Sequence, residues 1–191
     1  MKNGARPKDV LFATAARLFY EHGYRATGED AIAAESGTGK MTLYRHFPSK
    51  DDLIVAYLRD SDRTFWEHFE ANTAGAATAQ DKLLAFFSGL QAYAMTPRCY
   101  GCPFLNVASE YPEAGHAVHT VALEHKRSVQ ERFRDLAEEA GAREPEQLAG
   151  TLMLLMDGAF MAARVFGASP DSPAAHVAEA AAQAIAAHCG E

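Results

Sequence analysis

The sequence is short of cysteine and of long apolar runs. Its 191 residues include three cysteines, Cys99, Cys102 and Cys189, too few and too oddly numbered for a disulfide framework, which indicates a reducing compartment. No apolar run approaches the roughly 20 residues that span a bilayer, and the start MKNGARPKD lacks the apolar core of a signal peptide. We therefore expect a soluble, cytoplasmic protein that makes no membrane contact.

Motifs for catalysis are also missing. The sequence has no Ser/His/Asp pattern in a strand-turn-helix context, no glycine-rich phosphate loop and no His-Glu metal helix. Repeats, low-complexity tracts and long linkers are missing as well. We expect no enzymatic activity and no cofactor.

Positive charge is concentrated at the amino-terminal end of an acidic chain. Residues 1–50 contain eight Lys or Arg and five Asp or Glu, a net charge of +3, whereas residues 51–191 contain ten and twenty, a net charge of −10. A basic amino-terminal part on an acidic body is typical of a DNA-binding domain joined to a body that does not bind DNA. Chance asymmetry is the alternative.

The segment TGEDAIAAESGTGKMTLYRHFPSK, residues 27–50, predicts a helix, a turn and a second helix. Thr27 followed by Asp30 is a helix-start signature. Gly37 can adopt the left-handed conformation that ends this first helix. The second helix is predicted from Lys40 to Phe47, with Leu43 and Phe47 facing inward at a spacing of four. Two short helices joined by a glycine-containing turn favour a helix-turn-helix.

The outward face of the second helix has side chains suited to nucleic acid. Cations bind phosphates, hydroxyls donate to phosphate oxygens, and residues near a helix N-terminus reach base edges in a major groove. Ser49 and Asp52 predict the cap of the next helix, where backbone amides and Lys50 would form a second phosphate site. The outward residues are Lys40, Thr42, Tyr44, Arg45 and His46.

These motifs resemble a known family. GYRAT at residues 23–27, then AIAAESG, then TLYRHFPSKDDL ending at Leu53 are similar to the DNA-binding domain of the TetR family of bacterial transcription regulators. The resemblance covers residues 8–57. It implies a homodimer that binds a palindromic double-stranded DNA operator and represses transcription until an unknown small molecule releases it.

The chemistry of the outward residues indicates the individual DNA contacts. Lys40, Thr42 and Tyr44 would lie nearest the bases, with His46 and Lys50 on phosphate, and Thr27 would cap its helix and hold a phosphate as well. Four residues depart from the common pattern: Glu29, Thr38, Gly39 and Met41. Met41 could contact a thymine methyl group. The full expected set is Thr27, Thr38, Gly39, Lys40, Met41, Thr42, Tyr44, Arg45, His46 and Lys50.

The remainder of the chain predicts only helices. Apolar periodicity with Pro, Gly and Ser/Thr boundaries indicates an all-α protein with an amino-terminal three-helix helix-turn-helix domain at residues 1–48 and a larger helical ligand-binding and dimerisation domain at 49–191. The predicted helices span about residues 6–22, 49–72, 79–95, 103–111, 116–140, 145–167 and 173–188.

The last two helices predict a dimer interface. The helix that begins at Pro145 is apolar nearly all round and must be covered on two sides. A twofold partner would cover the second side in a four-helix arrangement, unless all of it packs internally. The candidate interface residues are Leu152, Leu155, Met156, Ala159, Val177, Ala181 and Ile185.

Aromatic residues of the body could line a ligand cavity between helices, or they could be ordinary core. Asp157 lies within the apolar run MLLMDGAF, where a carboxylate needs a partner. It could bind a ligand group, pair with Arg164 or Arg98, or lie at the dimer seam. The candidate ligand residues are Phe65, Phe69, Phe87, Tyr93, Phe104, Asp157 and Phe160.

Cys99-x-x-Cys102 followed by His116-x-x-His119 is the sharpest site-like pattern outside the helix-turn-helix. The ligand types suit zinc, although the histidine spacing is one residue tighter than usual. The alternatives are a metal- or redox-responsive regulator that uses these four residues, or incidental residues with no role in binding.

Overall fold

The structure, a computed structural model, describes residues 6–190. Within that range the chain folds as nine α-helices with one short 3-10 turn and no strand, which confirms the predicted all-α class. The helices are α1 Pro7–His22, α2 Glu29–Glu35, α3 Lys40–His46, α4 Lys50–Thr73, α5 Ala79–Ala94, α6 Pro103–Glu110, α7 Ala117–Glu139, α8 Pro145–Phe166 and α9 Val177–Cys189, with the 3-10 turn at Pro173–His176.

Most helix boundaries follow from local chemistry. The Thr78 hydroxyl accepts from the Asp81 amide at 3.0 Å, and the Asp81 carboxylate accepts from the Thr78 amide at 3.2 Å, which completes a capping box at the start of α5. The amide of Asp52 donates to the Ser49 hydroxyl at 3.1 Å at the start of α4. Pro103 begins α6, where a missing N–H costs nothing. These predicted starts are confirmed.

Two predicted helix starts need correction. Thr27 does not cap α2: Gly28 precedes the helix, and the Thr27 hydroxyl donates to the carbonyl oxygen of Gly23 at 2.7 Å. The last helix does not begin as an α-helix at Pro173. The Ser172 hydroxyl instead accepts from the Ala174 amide, and this cap starts a 3-10 turn that precedes α9.

The chain forms two compact units. One comprises residues 1–62 and 103–123, and the other comprises residues 63–102 and 124–191. The first unit therefore adds α6 and the start of α7 to the amino-terminal helices. The division does not coincide with the boundary expected after residue 48. That boundary is a functional assignment and stays a prediction.

The amino-terminal helices of the first unit pack around a small apolar core. α1, α2 and α3 contact one another in pairs. The fully buried side chains include Leu11, Phe19, Ile32 and Leu43. Burying each such side chain contributes about 1.5–3 kcal/mol. The core thus fixes α3 from its inner side.

The second unit has a larger core formed by α5, α8 and α9, which pack against each other and against the 3-10 turn. Aromatic rings extend it: Phe86 lies 5.1 Å from Phe69, 5.2 Å from Phe87 and 5.3 Å from Phe133, measured between ring centroids. Tilted and edge-on ring pairs at these distances stabilise a core beyond their buried area.

Helix α8 qualifies the expectation that no apolar run approaches the length of a membrane span. By length and composition alone it could cross a membrane, with a mean hydropathy of 1.4 over its most apolar window, of which 33% is buried. One such helix is weak evidence of a membrane span, because core helices have the same composition. Here α8 packs against α5 and α9 as part of the core, and its other face is exposed.

Candidate nucleic-acid interface

Helix α3 has one buried and one exposed face. Leu43 is fully buried and Phe47, just after the helix, is 7% exposed, which confirms the inward pair. On the opposite face Met41 is 88% and Tyr44 45% exposed. Lys40 and Arg45 are also exposed, whereas Thr42 and His46 are partly buried. The helix therefore presents cations, a phenol and a thioether to its surroundings.

Lys40, at the first position of α3, is held by a carboxylate from α2. Its ammonium lies 2.6 Å from Oδ1 of Asp30, itself 85% exposed. This hydrogen bond is the main cause that raises the pKa of Lys40 above its usual value, and the charge of Glu29 adds to it. This pair was not predicted, although a carboxylate in the first turn of α2 and a lysine in the first turn of α3 are the sequence signal for it.

Lys50, at the start of α4, is partly buried. Its ammonium donates to the backbone carbonyl of Arg25 at 3.5 Å. Burial lowers the pKa of Lys50, against the raising effect of nearby Glu29, Glu110 and Asp51. Lys50 therefore lies beside the turn between α1 and α2, which contains Arg25, and also at the positive end of α4.

Three of the expected contacts have specific local roles. Thr27 is only 4% exposed and donates its hydroxyl to the carbonyls of Gly23 and Leu18, so it is not placed to hold a phosphate. The Thr38 hydroxyl bonds that of Ser36 at 2.7 Å. Gly39 is the N-cap of α3 and provides no side-chain cap. Its place before α3 confirms the predicted helix start.

The turn between α1 and α2 is bound by a carboxylate that is distant in sequence. Glu110, at the end of α6, accepts from the backbone amides of Tyr24 at 3.0 Å and Arg25 at 2.6 Å. A contact between residues 86 positions apart leaves no local signal.

Family models match most of the chain. The model described as "Bacterial regulatory proteins, tetR family" matches residues 11–57, and "Tetracyclin repressor-like, C-terminal domain" matches residues 79–181. The chain belongs to the TetR family. The resemblance drawn from the helix-turn-helix motifs is therefore confirmed, and the second match extends it to the helical body.

Similar proteins agree with membership in the TetR family. The crystal structure of a TetR-family transcriptional regulator from Streptomyces coelicolor has 31% identity and a TM-score of 0.85, with 95% of this chain and 93% of that chain covered. The HTH-type transcriptional regulator YjdC of Escherichia coli is 25% identical, with 88% of each chain covered. The HTH-type transcriptional repressor ComR of the same species is 28% identical over 69% of this chain and 65% of its own.

As a member of the TetR family, the protein is a transcriptional regulator with a DNA-binding helix-turn-helix. This motif is formed here by α2 and α3. α3 is the second helix of that motif, the one that enters the major groove in helix-turn-helix proteins. Its exposed face is thus the candidate DNA surface of this TetR-family chain.

The residues expected to bind a ligand lie in different environments. Phe69 and Phe87 are buried in the core of the second unit, and Phe104 is buried in the first unit. Tyr93 is 40% exposed, with its ring 6.5 Å from that of the partly buried Phe160. Phe65 is also partly buried, and its ring meets the His125 ring edge-on at 4.9 Å.

Asp157 is paired, but with a residue the sequence analysis did not consider. Its carboxylate accepts from the ammonium of Lys126 on α7, and both side chains are largely shielded from solvent. Arg164, one expected partner, instead donates to the backbone carbonyl of Tyr100 at 2.6 Å. The half-buried carboxylate thus has the compensating charge that its surroundings demand.

The residues expected at a dimer interface are mostly core. Six of the seven pack inside their own protomer: Leu152, Met156, Ala159, Val177, Ala181 and Ile185. Leu155 is partly exposed. The exposed apolar residues of α8 are Leu154, Met161, Val165 and Phe166. Any partner of α8 would meet this Leu154 face, because the other side already contacts α5 and α9.

The cysteine-histidine pattern does not converge on a metal site. Within residues 6–190 no group of three or more His, Cys, Asp or Glu is arranged to hold a metal ion. Cys99 and Cys102 are both buried. His116 lies 3.3 Å from the Asp51 carboxylate, and His119 bonds the Tyr111 carbonyl at 2.8 Å. Each histidine therefore has a local structural partner.

Proposed function

We propose that this TetR-family protein is a homodimeric repressor that binds a palindromic operator and is released by a small molecule. The exposed face of α3, opposite the buried Leu43 and Phe47, supports this proposal most strongly. In this account Lys40, Met41, Thr42 and Tyr44 approach base edges, while Arg45, His46 and Lys50 contact phosphates. The protein would act in the cytoplasm.

The dimer would form through the Leu154 face of α8. Three of the apolar side chains exposed on α8 lie on one side of the helix and form the kind of patch that marks a protein interface. Leu154, Met161 and Val165 are spaced by seven and four residues, which places them on one side of the helix. A twofold axis through this face would give two α3 helices related by symmetry, as a palindromic operator requires.

The effector would bind in the helical body. Phe65, Tyr93 and Phe160 keep part of their rings accessible, and the Lys126–Asp157 pair offers one charge of each sign nearby in α7 and α8. Apolar walls with a few polar groups are typical of small-molecule sites. An effector that favours a conformation with the wrong α3 spacing would lower operator affinity, and the operator would lower effector affinity by the same factor.

Repression is the sign of regulation we propose. The Escherichia coli relative ComR is named a transcriptional repressor. An operator-bound dimer without further contacts blocks access to DNA simply by occupying it. A reporter gene placed behind the operator should be silenced by the protein and restored by the effector, and activation of the reporter would reverse the proposed sign.

The experiment that tests DNA recognition is selection of duplexes from a random pool by the purified protein. The proposal predicts enrichment of an inverted repeat whose half-sites are about one helical turn apart. Enrichment of a single half-site would contradict the dimeric operator. Failure to enrich any sequence by folded protein, at any salt concentration, would contradict sequence-specific binding.

A further inference from the structure

The carboxylate of Glu110 clamps the turn between α1 and α2. Oε1 accepts from the Tyr24 amide at 3.0 Å, and Oε2 accepts from the Arg25 amide at 2.6 Å. Both donors belong to the backbone, so the contact fixes the path of the chain rather than the rotamer of a side chain. Hydrogen bonds to an ionised acceptor are the stronger kind.

Gly23 permits this close approach. Its φ of +94° lies in the left-handed region, and a Cβ atom there would come within 2.9 Å of Oε1 of Glu110. Any other residue would be strained in the backbone and would also push against the carboxylate. Glycine at position 23 therefore leaves the space that the Glu110 carboxylate occupies.

The two ends of α6 are attached to the same turn. Tyr24 is fully buried, and its hydroxyl donates to the backbone carbonyl of Pro103 at 2.9 Å, at the start of α6. At the other end the guanidinium of Arg25 lies 5.2 Å from the ring centre of Tyr111. Three different interactions thus hold one helix against one turn.

The clamped turn also contacts the start of α4. The Lys50 ammonium donates to the carbonyl of Arg25 at 3.5 Å. The Arg25 amide therefore donates to Glu110, and the Arg25 carbonyl accepts from Lys50. Lys50 is the residue for which we propose a phosphate contact, so a displacement of the turn would reach that contact directly.

We propose that Glu110 is a positioning residue for operator binding: it holds the Gly23–Arg25 turn in the conformation that α2, α3 and Lys50 need on DNA, without touching DNA itself. This inference rests on the proposed operator binding. Without the carboxylate, the turn samples other conformations, and the apparent affinity for DNA is reduced in proportion to the fraction of molecules that remain competent to bind. The number of cations that meet phosphate in the bound state does not change.

The test compares Glu110→Ala and Glu110→Gln with the wild type and with Glu113→Ala as a matched control. Glu113 is exposed in the loop after α6, and its replacement removes the same charge. We expect Glu110→Ala to weaken operator binding about tenfold, as expected for the loss of charge-assisted hydrogen bonds. Glu110→Gln retains one carbonyl acceptor and should show a smaller loss, while Glu113→Ala should bind as the wild type does.

Two further readouts separate positioning from a purely structural role. The slope of log affinity against log salt should be unchanged in Glu110→Ala, because no phosphate contact is lost. Hydrogen exchange at the Tyr24 and Arg25 amides should be faster than in the wild type. Faster exchange with wild-type operator affinity would overturn the inference, and so would a reduced salt slope, which would make Glu110 part of the DNA contact itself.

Tyr24→Phe provides a second route if Glu110→Ala does not fold. It removes only the hydroxyl that donates to Pro103, at the opposite end of α6. We expect about threefold weaker operator binding with an unchanged salt slope, in keeping with the loss of one neutral hydrogen bond. Unchanged affinity in both Tyr24→Phe and Glu110→Gln would overturn the inference. Absence of operator binding by the wild type would instead overturn the proposed function on which it rests.

Discussion

Single residues on α3 divide between packing and recognition. Leu43 is buried, so its replacement would act on stability first, whereas Tyr44 on the opposite face is 45% exposed. An exposed aromatic side chain on a recognition helix can contact a thymine methyl or donate its hydroxyl to a phosphate. The contribution of Tyr44 to DNA binding can therefore be measured without disturbing the fold.

Replacement of Tyr44 by alanine should weaken operator binding about tenfold, equivalent to one base contact of about 1–3 kcal/mol, and should leave the dimer intact. Affinity is measured by anisotropy of labelled operator, and the oligomeric state by sedimentation. Tyr100→Ala is the control, because Tyr100 is 38% exposed and lies outside the DNA-binding unit. Wild-type affinity in Tyr44→Ala would remove this residue from the recognition surface.

Asp30 should restrain non-specific DNA binding through Lys40. The ion pair at 2.6 Å compensates the lysine charge and orients its ammonium. In Asp30→Asn the lysine is released to bind any phosphate, so affinity for random DNA should rise. The log–log salt slope should steepen by about one, the value for one additional phosphate contact.

Glu29→Gln is the matched control for Asp30→Asn, because Glu29 acts on Lys40 through its charge rather than through a hydrogen bond. It removes the same charge from the same turn of α2. A salt slope that changes equally in both variants would show a general charge effect, not a role for the Asp30–Lys40 pair.

At the scale of helices, short local signals determine most boundaries. The capping box of Thr78 and Asp81 stabilises the start of α5, and its contribution to the free energy of unfolding can be measured. Thr78→Ala should lower the free energy of unfolding by about 1 kcal/mol, since it removes the acceptor for the Asp81 amide. Urea denaturation at one fixed protein concentration measures this.

Thr151→Ala serves as the comparison for Thr78→Ala. Thr151 lies within α8, and its hydroxyl bonds the Gln147 carbonyl one turn earlier, an arrangement that adds little to helix stability. A loss in Thr151→Ala as large as that in Thr78→Ala would argue that the hydroxyl matters for reasons other than capping.

Residue patterns predicted the elements better than the contacts between them. Proline, glycine and Ser/Thr caps are read within four residues, so α3, α4, α5, α6 and α8 begin within one residue of the expected position. The predicted cap at Thr27 was wrong because the hydroxyl of a threonine before a helix can bond to earlier residues as readily as to later ones. Here it donates to the carbonyls of Gly23 and Leu18. Ser172 does cap forward, but the turn that it starts is 3-10 rather than α-helical, and a capping pattern alone does not distinguish the two.

The candidate site was predictable only where one helix determines it. The spacing of Leu43 and Phe47 identifies the outward face of α3 without any tertiary information. The Glu110 clamp joins residues 86 positions apart and leaves no periodic trace. In α8, apolar residues occur all round, so periodicity could not decide which of them pack inside, and Leu152 was favoured over Leu154.

Recognition of a palindromic operator requires two copies of the whole molecule. Leu154, 76% exposed on α8, lies at the proposed contact. Leu154→Glu would place a charge in an apolar interface and should produce monomers by sedimentation, with loss of operator binding. Leu123→Glu, at an exposed leucine on α7, is the control and should remain dimeric. A dimeric Leu154→Glu variant would exclude this face.

A salt titration of the selected operator, intact or with one half-site scrambled, against purified wild-type protein tests recognition by a pair of α3 helices most directly. Affinity for the intact inverted repeat should fall steeply with salt, because each copy contributes several phosphate contacts. Scrambling one half-site should weaken binding at least a hundredfold, since several base contacts are lost together. Equal affinity for both duplexes, or affinity independent of salt, would contradict recognition of DNA by a pair of α3 helices.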